Sequence, residues 1–306
     1  MDTNKSNKNQ KQGGGDSDFN QKIERKALII ADTFTSLFSP INNEISEALI
    51  PICNIPIIEY MFDFLFSNSI TEIIICSAKN SDTLKSYLKK YHYKNNQIKL
   101  IASDEFQDVG DCLRKVNSEK LITSDFVLIR GLVIANFNLE DAFNFHVAKK
   151  KEDNYVILTS IMKEYKNDKF IKTKYDENFL IVNKETKQIL QYESIQCGNE
   201  FKVNDNVKLN LSKPKNGNES LVANQYAVKT GLFDTFIDIC APDVLNHFSE
   251  NFDYQSVRDD LIKNIIVNEI FSDKFMLYEL RPDQYSAVAR NLESYLKINS
   301  EIVNRW

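Results

Sequence analysis

Basic excess, long apolar runs, paired cysteines and glycine are all scarce in this 306-residue sequence, and each shortage removes a class of function. Lys and Arg number 38 against 43 Asp and Glu, a net charge of −5, so the composition offers no basic surface of the kind a nucleic-acid-binding domain needs. No direct nucleic-acid partner is expected. The longest apolar stretches fall well short of the roughly 20 residues that span a bilayer, and the polar amino terminus has no signal-peptide core. A soluble, cytoplasmic protein without a membrane partner is therefore expected. Five cysteines (Cys53, Cys76, Cys112, Cys197 and Cys240) form no Cys-x-x-Cys pair and are odd in number, as suits reduced thiols inside a fold. Of only eight glycines, three stand together at Gly13, Gly14 and Gly15, which leaves few for the rest of the chain.

What is abundant is apolar and aromatic. Hydrophobic residues make up 42%, with 20 Phe and 13 Tyr, and so many aromatics require a core. Residues 1–24, rich in Asn, Lys, Gln, Ser and Gly, read as a disordered tail. From Lys26 onward short apolar runs alternate with helical periodicities. Strands are predicted at Lys26–Ala31, Glu72–Ser77, Gln97–Ala102, Asp125–Arg130 and Tyr155–Met162. Helices are predicted from Ile57, over Ser81–Tyr91 with Ser81 as N-cap, over Gly110–Leu121 and over Leu139–Lys150. Apolar runs buried on both faces, alternating with helices, predict an α/β fold with a mostly parallel central sheet and helices on both faces. A small antiparallel extension is predicted over Asp176–Tyr192, then a polar inserted loop over about 196–222. A strand at Phe236–Cys240, helices at Pro242–Ser249 and Gln255–Asn268, a strand at Phe275–Leu280 and a helix from Gln284 to the end complete the reading. Residues 25–306 are expected to form one domain, and no hexapeptide repeat of the β-helix kind is present.

In a doubly wound sheet the ligand crevice lies beyond the carboxyl ends of the strands, so the loop after the first strand is the place to look for chemistry. It reads Ala31-Asp-Thr-Phe-Thr-Ser-Leu-Phe-Ser-Pro40 and continues through Glu47-Ala-Leu-Ile-Pro-Ile-Cys-Asn-Ile-Pro56. A phosphate cradle needs glycines so that backbone N–H groups can approach the anion. This loop has none, and no Lys or Arg occurs between Ala27 and Ala78. Glu44 and Glu47 would repel a phosphate. The histidines His92, His146 and His247 lack metal-ligand spacing and read as surface or capping residues. The lysine-rich stretches Lys149–Lys151 and Lys163–Lys174 read as solvated faces.

The segment Ala31–Ile58 resembles the signature of the sugar-nucleotide pyrophosphorylases, with Pro40, Leu49, Pro51, Asn54 and Pro56 at matching spacing. The resemblance implies a Rossmann-like nucleotidyltransferase fold. It fails where that chemistry happens. Asp32, Thr33 and Thr35 replace the family's glycines, Leu37 stands where its catalytic arginine belongs, and Glu47 replaces its lysine. Its metal-binding aspartate, in a Gly-Asp pair after a central strand, is here Gly131-Leu132, and leucine cannot coordinate Mg²⁺. Phosphate binding, charge neutralisation and metal assistance would be lost together. A catalytically silent domain without cofactor or metal is expected.

Four stretches carry a narrower resemblance, to the epsilon-subunit family of eukaryotic translation initiation factor 2B, the guanine-nucleotide exchange factor for initiation factor 2. They are Ala27–Tyr60, Asp108-Val-Gly-Asp-Cys-Leu-Arg-Lys-Val116, Asn251-Phe-Asp-Tyr-Gln-Ser-Val-Arg-Asp-Asp260 with Val267-Asn-Glu269, and Asn291 through Trp306. This resemblance implies a scaffold that pairs with other subunits of the complex, the gamma subunit above all. It also implies docking of initiation factor 2, with Asn251 and Phe252 at the contact. The family's β-helix and catalytic helical-repeat domain have no counterpart here, so an amino-terminal fragment without exchange activity of its own is expected. Apolar surface next to the missing β-helix should favour a sister subunit or a homodimer. From the residues alone, Asn251-Phe252 also reads as a helix-connecting turn with Phe252 in the core. Asp253, Arg258, Asp259 and Asp260 read as a solvated helix start with local ion pairs. Two alternatives stay open: a divergent active nucleotidyltransferase, and a regulatory domain that binds a nucleotide in the remnant crevice.

Overall fold

The computed structural model describes residues 25–90, 97–164, 178–194, 203, 226–268 and 271–304. The expected tail over 1–24, almost all of the 196–222 loop, His92, Lys174, Cys197, Glu269 and the final Arg305-Trp306 lie outside them. Lys26–Ile30 forms β1, whose side chains alternate between two cores, Ala27 and Ile29 facing one and Leu28 and Ile30 the other. All four are fully buried, which explains a run with no polar interruption. After it come two short pairing strands, β2 (Pro51–Ile52) and β3 (Ile55–Pro56), and helix α1 (Ile57–Ser67). Next are β4 (Glu72–Ser77), α2 (Ser81–Lys90), β5 (Ile98–Ala102), α3 (Val109–Ser118) and β6 (Phe126–Arg130). Strand β7 (Leu132–Asn136), helix α4 (Leu139–Glu152) and strand β8 (Val156–Glu164) follow. The antiparallel extension consists of β9 (Asn178–Asn183), β10 (Ile189–Ser194) and β11 (Tyr226–Thr230). Then come β12 (Leu232–Cys240), α5 (Asp243–Glu250), a π-helical turn over Val257–Ile262 and α6 (Lys263–Val267). Strands β13 (Lys274–Leu280) and β14 (Tyr285–Ala289) and helix α7 (Leu292–Val303) end the described chain.

Seven strands form the central sheet in the order β13-β8-β12-β6-β1-β4-β5. Four of its pairings are parallel, and β12 alone runs antiparallel to both neighbours. One face packs against α1, α4, α7 and the β7–β14 ribbon, and the other against α3, α5 and the π-helical turn. From β1 the chain moves outward through β4 and β5, then returns to β6 on the other side of β1. The strand order therefore reverses between β1 and β6, where a crevice must open.

The predicted elements match these bounds closely, with instructive exceptions. The helix expected from Gln284 begins only at Leu292, because Tyr285–Ala289 pairs as a fully buried strand with β7. Asn291 caps that helix, its Oδ1 accepting the Ser294 N–H at 2.8 Å. The partner strand β7 went unseen because Gly131, at φ +78°, breaks the apolar run into two strands with different neighbours. Ser81 is the first helical residue rather than the cap, so Asn80 precedes the helix. His146 and His247 are buried, not on the surface: His146 Nδ1 lies 2.8 Å from Thr159 Oγ1, and His247 Nε2 lies 2.9 Å from Asp273 Oδ2. Lys163, expected on a solvated face, is buried in β8 and donates to the Gln284 carbonyl. Among the described residues no helix is long and apolar enough to cross a membrane.

Two stretches distant in sequence meet at α3. The Gly110 N–H donates to the Gln255 carbonyl at 3.1 Å and Arg114 Nη1 donates to the Tyr254 carbonyl at 3.0 Å. A Cβ on Gly110 would collide with the Tyr254 main-chain oxygen. Gly110→Ala is expected to cost about 1–3 kcal/mol in urea unfolding, with amide exchange accelerated selectively over residues 251–255.

Candidate functional site

A cleft of about 690 Å³ opens at the carboxyl ends of β1 and β6. Asp32, Thr33, Thr35 and Leu37 wall it from the first loop, and Gly131 and Leu132 from the turn between β6 and β7. The structure thus gathers five of the degenerate positions around one cavity. Glu47, the sixth, does not line it. It is buried behind the loop, where its carboxylate accepts the Thr33 N–H at 2.7 Å and the Asn42 side-chain amide at 2.8 Å. A main-chain donor of the first loop is thereby satisfied by an internal carboxylate. Asp32 adds a second one: its Oδ2 accepts the Ala78 N–H at 2.6 Å. Burial pushes the Asp32 carboxyl up to about 6, and the nearby Glu47 charge adds to the rise. Leu132, fully buried, offers the cleft only hydrocarbon, and among the described residues no group of three His, Cys, Asp or Glu side chains is placed to hold a metal.

Beneath the cleft lies a feature that the sequence reading missed. Arg130, at the end of β6, reaches Asp238 (Nε to Oδ2, 3.1 Å) and Asp234 (Nη2 to Oδ2, 3.1 Å) on β12. Arg258, from the π-helical turn, clamps the same acids: Nε to Asp234 Oδ2 at 2.8 Å and Nη2 to Asp238 Oδ1 at 2.6 Å. Arg258 is therefore buried in a long-range network and not part of a solvated helix start with local pairs. Two positive and two negative charges close a neutral ring. Burial alone would raise the Asp234 carboxyl, but the Arg258 and Arg130 guanidinium groups hold it below the usual carboxylate range. A register shift between Asp234 and Asp238, with Phe236 at φ +58°, turns the Phe236 ring into the cleft. There it is stacked between Arg130 (4.6 Å) and Arg290 (4.3 Å). Arg258 lines this cavity, and its buried Nη1 has no hydrogen-bond partner among the described residues. The available signal was an acid pair inside the largely apolar run Leu232–Cys240, which demands a buried cation.

A second feature faces outward. After α5 the turn is pinned by Asn251, whose N–H and side-chain amide each donate to the His247 carbonyl at 3.0 Å, while the Tyr254 N–H donates to the Asn251 carbonyl at 3.1 Å. Phe252 is not in the core. It stands 77% exposed beside a groove of about 450 Å³ lined by Phe106, Arg114, Lys115 and Ser249. The Asp108–Val116 stretch supplies one wall, with the Asp108 side chain capping α3.

Comparison with known proteins places this geometry. Nucleotidyl transferase is the family that matches residues 26–170. The translation initiation factor eIF2B subunit epsilon of Schizosaccharomyces pombe is 27% identical over 296 residues, 94% of this chain and 42% of that protein. The same subunit of Dictyostelium discoideum is 28% identical over 307 aligned positions, 99% of this chain and again 42% of that protein. The chain is similar to the eIF2B epsilon subunits over nearly its whole length. It spans less than half the length of these curated relatives. A mannose-1-phosphate guanyltransferase of Aspergillus oryzae is 24% identical over 139 residues, 44% of this chain and 38% of that enzyme. Among solved structures, HddC from Yersinia pseudotuberculosis superposes with a TM-score of 0.60 at 12% identity, covering 91% of this chain and 99% of its own, which establishes a nucleotidyltransferase-like fold. The likeness to the epsilon subunits runs through both the cleft and the Phe252 turn, whereas the guanyltransferase covers less than half of the chain.

Two measurements probe the site. Arg258→Met leaves two buried carboxylates undercompensated and is expected to cost about 3–5 kcal/mol in chemical denaturation. For Asp32, between pH about 4 and 6 the folded state keeps a proton that the unfolded chain has already released. Its contribution therefore falls as pH rises through that window, by on the order of 2 kcal/mol, and is constant above it. Asp32→Asn, which keeps an acceptor for Ala78, is expected to lack this slope, so the stability difference between variant and wild type should change between urea titrations at pH 4.5 and 6.5.

Proposed function

We propose that this chain is a non-catalytic scaffold and docking unit of the guanine-nucleotide exchange factor for translation initiation factor 2, with residues 25–306 as one nucleotidyltransferase-like domain. The observation that carries this reading is Phe252, an aromatic ring held 77% exposed on a turn that Asn251 fastens at both its N–H and its side chain. A large exposed aromatic on a rigid support is what a protein interface uses as an anchor. The likeness to the epsilon subunits supports the same assignment of partners, namely the other eIF2B subunits, gamma included, and initiation factor 2. Helix α7 presents Leu292, Leu296 and Val303 outward, a stripe suited to pairing with a sister subunit.

The cleft supports a silent site. Transfer of a nucleotidyl group needs cations and main-chain donors aimed at phosphates. Here Arg130 and Arg258 are neutralised by Asp234 and Asp238, and the Thr33 N–H is held by Glu47. A second reading, a regulatory site for a small molecule, draws on Arg258, which lines the same cavity and whose buried Nη1 has no partner among the described residues.

Within the full complex, replacing Asn251 and Phe252 with Ala is expected to slow GDP release from initiation factor 2 while circular dichroism and melting of the subunit stay unchanged. Unaltered release rates would remove docking from these two residues. Incubation with a nucleoside triphosphate, a sugar 1-phosphate and Mg²⁺ should yield no pyrophosphate, and sustained turnover would reinstate an enzyme.

A further inference from the structure

The charge around Phe252 specifies what it docks against. The Phe252 groove adjoins a second hollow of about 410 Å³ at the start of α2, the two sharing Ser103. Asp82 and Asp104 line the second hollow and Glu105 the first, while Glu250 and Asp253 flank Phe252 in the chain. All five carboxylates are on exposed residues, and none forms an ion pair with a described residue. The cations that line the Phe252 groove, Arg114 and Lys115, lie beside carboxylates, and the exposed Lys79 and Lys85 adjoin the second hollow. Arg114 lies 2.8 Å from Asp111 and 3.6 Å from Asp108 and donates to the Tyr254 carbonyl, and Lys115 lies 3.4 Å from Glu119. Among the described residues of this face, carboxylates therefore outnumber cations around an exposed aromatic anchor.

Resting on the docking reading above, we infer that this face receives a basic protein surface, an apolar socket for the Phe252 ring bordered by Lys and Arg side chains. Unpaired carboxylates in a concave, partly apolar setting attract positive charge over a screening length and repel nucleic acid and acidic proteins. The ring would supply residence time once seated, and the carboxylates would supply encounter rate and orientation. The two contributions are separable because they act on different rate constants.

The test uses the assembled complex with initiation factor 2 as the probe, its association and dissociation followed by stopped flow at several salt concentrations. The triple variant Asp104→Asn, Glu105→Gln, Asp253→Asn alters only exposed side chains. It is expected to slow association about threefold to tenfold at low salt and to flatten the salt dependence, with dissociation little changed. Phe252→Ala should do the reverse, speeding dissociation and leaving the salt dependence intact. If Phe252→Ala weakens binding while the triple variant associates at the wild-type rate, the basic-partner inference falls and docking at Phe252 stands. Faster association of the triple variant would mean an acidic partner and would also overturn it. A Phe252→Ala complex with unchanged dissociation overturns both readings.

Discussion

Two guanidinium groups and two carboxylates, enclosed where β6, β12 and the π-helical turn converge, set the constraint under which the rest of the molecule is arranged. None of the four charges could be buried alone, since an isolated ion in a protein interior costs several kcal/mol. Each is tolerable because both of its opposite charges are within hydrogen-bond reach. The ring therefore fixes the register of β12 against β6, the irregularity that turns Phe236 inward, and the approach of the π-helical turn to the sheet. It also settles the electrostatics above it. A cleft whose floor is neutral, and whose buried arginines already bind aspartate, presents little potential to a phosphate.

The loop over the cleft follows the same pattern. Glu47 supplies the Thr33 N–H with an internal partner, and Asp32 does so for Ala78. The anion-accepting groups at the strand ends are closed on the protein itself. Helix α3 is the wall between this cleft and the Phe252 groove. Val109 lines the cleft, whereas Asp111 and Arg114 line the Phe252 groove. The main-chain bond from Gly110 to Gln255 fastens that wall to the exposed turn.

Much of this could be read from the sequence. The strands β1, β4 and β6 are continuous apolar runs because they are covered on both faces, and the buried residues of α1 recur at helical spacing. The crevice position followed from alternation alone. What could not be read depended on long-range partners. Tyr285–Ala289 is a strand only because β7 lies beside it, and β7 is a strand only because Gly131 turns the chain. Arg258 looked like a solvated charge since its two partners lie 20 and 24 residues earlier, across the sheet. Glu47 reads from the sequence as repelling phosphate, yet its position behind the loop, bonded to Thr33 and Asn42, has no signature in local composition. Phe252 was ambiguous for the same reason: an aromatic after a helix carries no mark of which way it faces.

The reversed strand β12 has a consequence for the order in which the chain can be completed. It is inserted between β6 and β8, so the halves of the sheet cannot join until residues 232–240 have been synthesised. Up to that point β6, whose every residue is built for burial, is an open edge with unpaired backbone groups. A nascent chain halted before Leu232 would thus expose an adhesive border of Phe126–Arg130, and Arg130 would wait there without its aspartates. Biogenesis of this domain, more than its finished state, is where protection by a chaperone would matter.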